Sequence, residues 1–363
     1  MTRHLSYGIL FIFLLSQCTK DRPDPGDLTA ITYQPHPYGI VAPSTFPQME
    51  IPADNPMTVE GIELGRRLFY DPILSGDSTM ACASCHLPQH SFTDDLPVSP
   101  GIDGINGRRS AMSLLNVGYY NRGLFWDGRS ASLEEQALVP VEDQIELHHS
   151  WSKVVEDLQR HPDYPARFRE AFGIEHVDQI TKELAAKAIA QFERTLISSG
   201  NSKYDRVQRQ EEFFTDEELN GYIMFFDLGS GFPDAECAHC HNAPLFTTNE
   251  YINNGIEDIQ DLNDFPDMGR GAISAKVIDN GRFRVPTLRN LAYTAPYMHD
   301  GRFKTLDEVL DHYISGGHNQ LNKDALIYPL KLSEEQRSDL KAFILTLTDP
   351  DFLTNPAYQS PFN

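Results

Sequence analysis

The sequence predicts an all-α protein that consists of two similar helical domains. Helix-start signals recur along the chain, whereas the strict alternation of apolar and polar residues that marks strands is scarce. A second observation is an internal repeat, in which Cys237 follows its counterpart Cys82 by 155 residues. The chain has 363 residues, of which 40% are apolar and 23% are charged. It is therefore long enough for two domains and too polar for a multi-span membrane protein.

The repeat covers most of the chain. Each copy has a short Gly-to-Asp segment, a Cys-x-x-Cys-His motif, an Asp-Gly-Arg triplet and an acidic segment. These parts lie at residues 65–71, 82–86, 127–129 and 133–135 in the first copy, and at 221–227, 237–241, 300–302 and 306–308 in the second. The period is too long for a solenoid. We therefore expect a duplicated domain at residues 57–205 and 206–350, followed by a tail at 351–363.

Helix signals support the all-α prediction within each copy. Ser132, Thr215, Thr305 and Ser333 each stand three positions before a Glu or Gln, which is the pattern of a capping box at a helix start. Apolar residues at helical spacing also predict one long helix over residues 181–198.

The first eighteen residues are typical of an export signal. Arg3 and His4 precede an apolar run at 7–15 that is too short to span a bilayer. The order Leu-Ser-Gln-Cys at 15–18 resembles a lipoprotein signal, in which Cys18 is lipidated and becomes the mature N-terminus. Gln17 departs from the usual small residue, and an ordinary signal peptide that is cut nearby is the alternative. We expect a periplasmic, lipid-anchored protein that touches the membrane only through its anchor, with a Pro- and Asp-rich tether at 19–56.

The charge balance restricts the partners. Thirty Lys and Arg against 52 Asp and Glu give a formal net charge of −22. So acidic a surface repels phosphate backbones and excludes nucleic acid as an expected partner. It could attract a cationic protein, although much of the charge would serve as a solvated exterior.

Two Cys-x-x-Cys-His motifs predict two covalent c-type haems. The thiols of Cys82 and Cys85, and of Cys237 and Cys240, would attach the haems, and His86 and His241 would bind the irons. A thioredoxin-like pair is the first alternative, but its βαβ context is missing. A zinc site that uses all four thiols is the second, and it would leave both histidines unexplained.

The two haems differ in the residues that could bind the opposite face of each iron. After His86 the next histidine, His90, is too near in sequence, and no other follows before His148. The first haem is therefore expected to be open to peroxide, since a vacant position permits such chemistry. In the repeat, Gln136 and Glu146 fall in the segment that would lie over it. A carboxyl group there could shuttle protons, and exposure of Glu146 in an acidic run is the alternative.

For the second haem, three residues are candidates for the opposite face. These are His312, Tyr313 and His318. Adjacent helical positions point about 100° apart, so at most one of His312 and Tyr313 can face the iron. The residues alone do not choose between them.

From about residue 56 to 350 the chain resembles the bacterial dihaem cytochrome c peroxidase and MauG family. The resemblance rests on the two haem motifs, residues 125–129 (Phe-Trp-Asp-Gly-Arg), 135–136 (Glu-Gln), 285–290 (Val-Pro-Thr-Leu-Arg-Asn) and 297–301 (Tyr-Met-His-Asp-Gly). It implies two cytochrome c-like domains with one c-type haem each. Peroxide would react at the first haem and electrons would enter through the second. The resemblance also implies that Gln136 and Glu146 are catalytic and that Trp126 lies between the haems, where core packing is the alternative.

Two departures from the peroxidase pattern distinguish this chain. The position of a displaceable distal histidine corresponds to Ile102, so the first haem should be open without reductive activation. The position of the methionine ligand of the second haem corresponds to Tyr313, as in MauG. A phenolate ligand would lower the potential of that haem.

The resemblance further implies a calcium ion, hydrogen peroxide as a substrate and a small redox protein as a partner. Calcium would be held by backbone oxygens of Thr294 and Pro296, and the usual Asn ligand is Ser110 here. The first functional hypothesis is a peroxidase that receives electrons from a small cytochrome c or copper protein. The second is a MauG-like oxidase of a protein or organic substrate, and the third is a non-catalytic electron carrier. The sequence does not reveal the oligomeric state, for which a homodimer is the candidate.

Overall fold

The structure is a computed structural model that describes residues 24–362. This part of the chain is mostly helical, which confirms the predicted class, and its only sheet is a two-stranded antiparallel ribbon. The helices are α1 (Val59–Tyr70), α2 (Leu133–Glu142), α3 (Trp151–Arg160), α4 (Tyr164–Phe172), α5 (Lys182–Glu193), α6 (Lys203–Gln208), α7 (Asp216–Phe226), α8 (Cys237–Cys240), α9 (Arg270–Ser274), α10 (Leu306–Ser315), α11 (Glu334–Leu345) and α12 (Pro350–Thr354), and the strands are β1 (Tyr251–Ile252) and β2 (Phe283–Arg284).

The predicted export signal and Cys18 lie outside the described residues. Over 24–362, the chain has no helix that combines the length and the apolar character needed to span a membrane. Residues 24–56, which composition predicts to be a tether, follow the surface of the folded protein. Leu28 joins the core of the first half, and Phe46 and Met49 pack in a small cluster with Tyr119. Scattered apolar residues therefore fix this segment without any helical period.

Two hydrophobic cores organise the fold. The first gathers residues of α1 to α5, and the second gathers residues of α7, α10 and α11. In the first core α1 crosses α5 at Gly65, where an added Cβ would lie 1.8 Å from the Ala188 carbonyl oxygen. In the second, α7 crosses α11 at Gly221, where it would lie 2.0 Å from the Asp339 carbonyl oxygen. Each glycine is required because the two backbones touch there.

Three of the four predicted capping boxes are confirmed. Thr215, Thr305 and Ser333 each cap a helix and exchange both hydrogen bonds with the Glu or Gln three residues later. Ser132 also caps its helix, but the Glu135 carboxylate accepts from Ala131 N instead of from the cap.

The helix predicted over 181–198 begins as expected, with Thr181 as its cap, but α5 ends at Glu193. Beyond it, the Leu196 carbonyl oxygen accepts from Asn116 N, and Ser198 N donates to Asn116 Oδ1. This prediction of length was wrong because Asn116 replaces the helical hydrogen-bond partners of the last turn.

A buried ion pair joins α6 to the segment after β2. The Arg289 guanidinium donates two hydrogen bonds of 2.8 Å to the Asp205 carboxylate, and the side chains are 0% and 7% exposed. Burial alone would raise the pKa of Asp205, but Arg289 outweighs it and holds that pKa below its ordinary value. The stabilisation is therefore present above the unfolded-state pKa and is lost as pH falls through the lower folded-state pKa.

We expect Asp205→Asn to lower the free energy of unfolding by about 3–5 kcal/mol at neutral pH, because it leaves the Arg289 charge buried and unpaired. The deficit relative to the unchanged protein should shrink in acid, where Asp205 itself becomes neutral. Urea unfolding at several pH values measures both effects. The exposed control Asp95→Asn should change stability by less than about 0.5 kcal/mol. An equal loss in both variants would contradict the assigned role of the pair.

Candidate active site

The first Cys-x-x-Cys-His motif forms a tight turn that directs its histidine inward. His86 N donates to the Cys82 carbonyl oxygen at 3.0 Å. The His86 Nδ1 donates to the Phe92 carbonyl oxygen at 2.8 Å, so Nε2 keeps its lone pair. Burial lowers the pKa of His86 and keeps the imidazole neutral. A neutral imidazole that is oriented through Nδ1 is the form that binds iron.

The second motif has the same arrangement. Cys237 to Cys240 form α8, and the His241 Nδ1 lies 3.1 Å from the Pro286 carbonyl oxygen and 3.2 Å from that of Phe246. Burial lowers the pKa of His241 to about 4. Its Nε2 is therefore available to a metal across the physiological pH range.

The four motif thiols are free and stand in two separate places. Cys82 packs against the first core and Cys237 against the second, so the four sulfurs cannot surround one zinc ion. Burial raises the pKa of Cys82 and Cys237 to about 12, and that of Cys85 and Cys240 to about 11. Thiols in this state are poor redox nucleophiles, which argues against a thioredoxin-like pair.

A cavity of about 240 Å³ lies beside the second motif. Most of its lining is apolar, and Cys237, Cys240 and His241 form part of the wall. Two thiols and an imidazole at the edge of an apolar cavity fit a haem, for which the second half supplies every attachment group. Tyr313 lines the same cavity, whereas His312 donates from Nε2 to the Asn254 carbonyl oxygen at 3.0 Å.

Asn254 is a residue of this site that the sequence reasoning missed. Its Nδ2 lies 3.3 Å from the Tyr313 hydroxyl and 3.5 Å from the Met298 sulfur, and all three residues line the cavity. Burial raises the pKa of Tyr313 to about 12, and the amide hydrogen bond opposes the rise. The amide thus fixes the tyrosine hydroxyl at the cavity. Asn254 precedes a glycine in a loop, and such a position carries no sequence signal of a ligand contact.

Trp126 connects the two halves of the chain. Its Nε1 donates to the Ser110 carbonyl oxygen at 3.0 Å, and its carbonyl oxygen accepts from Arg284 N of β2 at 2.8 Å. Trp126 also lines the cavity beside His241. The nearby Met112 lines that cavity too, and its backbone is near enough to His86 to oppose slightly the lowering of the His86 pKa by burial. The indole therefore lies on the side of the second motif that faces the first.

Glu146 is electrostatically linked to the thiols of the first motif. Its charge raises the pKa of both Cys82 and Cys85. The residue is half-buried, and its own pKa is raised by burial and by Asp143, with Arg129 opposing. The Glu146 carbonyl oxygen accepts from Ile102 N at 3.0 Å, which holds the Ile102 loop against it. The alternative of a fully solvated Glu146 does not hold.

Gln136 lies on α2 and is half-buried. Among the described residues no hydrogen bond joins its amide to Glu146. Thr294 and Pro296, predicted to hold calcium, line the cavity of the second motif together with Ser110. The Ser110 hydroxyl donates to the Met298 carbonyl oxygen at 2.9 Å, so it is already engaged.

Comparisons with known proteins match this arrangement. A family model described as di-haem cytochrome c peroxidase matches residues 59–213. Cytochrome-c peroxidase IdrP1 of Pseudomonas sp. (strain SCT) is 34% identical over 333 residues, covering 84% of this chain and 86% of the relative. The methylamine utilization protein MauG of Methylorubrum extorquens is 35% identical over 309 residues, covering 84% and 83%. The crystal structure of a MauG-like protein associated with microbial copper homeostasis has a TM-score of 0.82 at 33% identity, covering 90% of this chain and all of that one.

The helical fold, the paired motifs and the relatives named peroxidases together define an oxidoreductase of the haem peroxidase class. Its similarity to the peroxidases and to the MauG proteins is nearly equal. The chain belongs to the di-haem cytochrome c peroxidase and MauG family.

Proposed function

We propose that this protein reduces hydrogen peroxide to water at a first c-type haem, with electrons relayed through a second. Cys82, Cys85 and His86 would hold the first haem, and the equivalent residues of the second motif would hold the other. The observation that supports the proposal is the half-burial of Glu146, a carboxyl group whose charge acts on both thiols of the first motif. The matched glycine crossings at Gly65 and Gly221 support a duplicated domain.

The chemistry balances with two electrons and two protons, which convert one peroxide into two waters. When bound, the first haem would supply an iron that can react with peroxide. Glu146 accepts a proton from one peroxide oxygen and returns it to the departing oxygen. Gln136 orients the peroxide by hydrogen bonding, and Trp126 lies on the electron path. Ile102, at the position of the family's distal histidine, offers the iron no ligand.

The donor that fits this surface is a small cationic protein. With a net charge of −22, the surface attracts a basic cytochrome c or a basic copper protein. Steady-state oxidation of such a reduced protein by peroxide tests the proposal directly. Catalytic turnover that weakens steeply with added salt is the expected result. Two low-spin, six-coordinate haems that do not respond to peroxide would leave only an electron carrier.

A MauG-like oxidase of a protein or organic substrate is the second candidate. Tyr313 favours it, because the hydroxyl lies in the cavity of the second motif while His312 is turned to Asn254. A phenolate ligand stabilises the oxidised iron and makes the second haem a poorer electron store. Slow turnover of cytochrome c, together with rapid peroxide-dependent oxidation of an added organic reductant, would identify this function.

We expect Tyr313→Phe to abolish the tyrosinate absorption of the ferric second haem and to raise its midpoint potential, because a hard anionic ligand is lost. Resonance Raman spectroscopy and redox titration measure the two effects. Met298→Leu is the matched control, since Met298 contacts the same Asn254 amide. It should leave the tyrosinate signal unchanged. An unchanged spectrum in the Phe variant would show that another residue binds the iron.

We further propose that the protein is exported and anchored in the periplasm through lipid on Cys18. Residues 1–18 support this by their charge and apolar order. A calcium ion at Thr294 and Pro296 and a homodimer also remain predictions.

A further inference from the structure

One buried carboxyl group near the first motif has no part in the function proposed above. Glu193 is the last residue of α5 and is 4% exposed. Its Oε2 is buried and has no hydrogen-bond partner among residues 24–362. A buried carboxylate without a partner is strongly disfavoured, so the neutral acid is the stable form unless a positive charge lies close by.

The cation that follows Glu193 in the sequence is already paired with a different carboxylate. Arg194 follows Glu193, and its Nη1 and Nη2 donate to the two Glu134 oxygens of α2 at 2.8 and 3.0 Å. This pair holds the pKa of Glu134 below its ordinary value despite burial. For Glu193 the balance is the reverse: burial raises its pKa to about 8, Arg194 opposes the rise and Glu134 adds to it. The group can therefore change its charge near neutral pH.

One electrostatic effect and the packing of the neighbouring residue connect this carboxyl group to the first motif. Among the charged groups that act on the Cys82 thiol, Glu193 has the largest effect. The preceding residue, Phe192, packs on Phe69 with ring centroids 5.3 Å apart, and Phe69 lies 6.4 Å from the His86 ring. The end of α5 therefore packs on Phe69, the residue that lies against the His86 ring, while the Glu193 charge acts on the Cys82 thiol.

We propose that Glu193 is the redox-linked proton site of the first haem. Its carboxylate takes up one proton from solvent when the haem iron gains one electron from the reduced donor protein, and releases it when that electron leaves. Charge in the protein interior is then unchanged, which matters because an uncompensated charge is costly at low dielectric. The inference rests on the proposed function, because it requires a haem attached to Cys82 and Cys85. Glu193 does not contact peroxide in this scheme. It balances the charge on the iron, and it is therefore a positioning residue and not a catalytic one.

The test is a spectroelectrochemical titration of the holoprotein over a pH range that brackets 8. We expect the midpoint potential of the first haem to fall with rising pH at a slope of one proton per electron. Glu193→Gln should remove that dependence while keeping the size and hydrogen-bonding capacity of the side chain. Glu183→Gln, an exposed position on the same helix, should retain it. If the midpoint potential of the first haem depended on pH in the same way in Glu193→Gln as in the unchanged protein, the proposal would be overturned.

A second measurement keeps the proposal testable if the Gln variant folds poorly. Redox difference infrared spectroscopy of the unchanged holoprotein should show a protonated-carboxyl band that appears on reduction and shifts in Glu193→Asp. A difference spectrum without a carboxyl band would refute the assignment. Covalent haem content distinguishes failure of the proposed function from failure of the proton-site proposal. A protein that carries both haems and has a pH-dependent potential, but does not turn over peroxide, would contradict the proposed function and leave the proton site in place.

Discussion

Replacing Glu146 with Gln is expected to lower kcat/KM for peroxide by about 100- to 10,000-fold, the range that a positioned proton shuttle contributes. The amide keeps the shape of the side chain but cannot accept the peroxide proton. The effect on peroxide binding should be small, since the substrate is bound by the iron. Stopped-flow rates at several peroxide concentrations separate binding from the chemical step.

The pH profile gives an independent check on the same residue. Burial raises the pKa of Glu146, and only the deprotonated carboxylate can act as the base. Activity should therefore fall as the pH is lowered, and the fall should be centred at a pH above the ordinary pKa of glutamate. This loss of activity in acid should be absent in the Gln variant. The exposed neighbour Glu142 provides the control. Glu142→Gln should keep both the turnover rate and the loss of activity at low pH. Equal rates in all three proteins would remove Glu146 from the mechanism.

Replacing Cys237 and Cys240 together with Ala is expected to halve the covalent haem content, from two haems per chain to one. The thioether bonds need these two sulfurs, and the first pair lies against a different core. The pyridine haemochrome spectrum of the denatured, extracted protein measures the count. Peroxide turnover with a protein donor should be lost as well, because electrons enter through the missing haem.

The corresponding change at Cys82 and Cys85 should also leave one haem, with the tyrosinate signal of the second site intact. This pair of variants therefore assigns each spectrum to its motif. Two haems remaining after either double substitution would show that the motifs are not the attachment sites.

The features that local sequence determines were predictable. The Cys-x-x-Cys-His spacing fixes which atoms meet within one turn, and the caps at Thr215 and Thr305 need only residues three positions apart. The repeat located Glu146 and the family resemblance added Trp126 as a residue between the haems, and the roles of both stay predictions.

The remaining features depend on contacts between residues that are distant in sequence. Asn254 approaches Tyr313 across 59 residues of chain, so no motif reveals it. Arg194 pairs with Glu134 and not with Glu193, and this pairing depends on how α2 packs on α5. The burial of Phe46 could not be predicted either, because a Pro- and Asp-rich composition does not show whether a segment packs on the rest of the protein.

A segment late in the sequence packs against the first half of the fold. Phe352 and Tyr358 pack on Phe92 at ring distances of 5.8 and 6.5 Å, and the Phe92 carbonyl oxygen orients His86. Residues 352–358 thus help to support His86, the histidine of the first motif. A chain cut before residue 352 would keep both motifs but would lose this support of the histidine. Damage to residues 352–358 is consequently damage to the first half of the fold, although these residues are far from Phe92 in sequence.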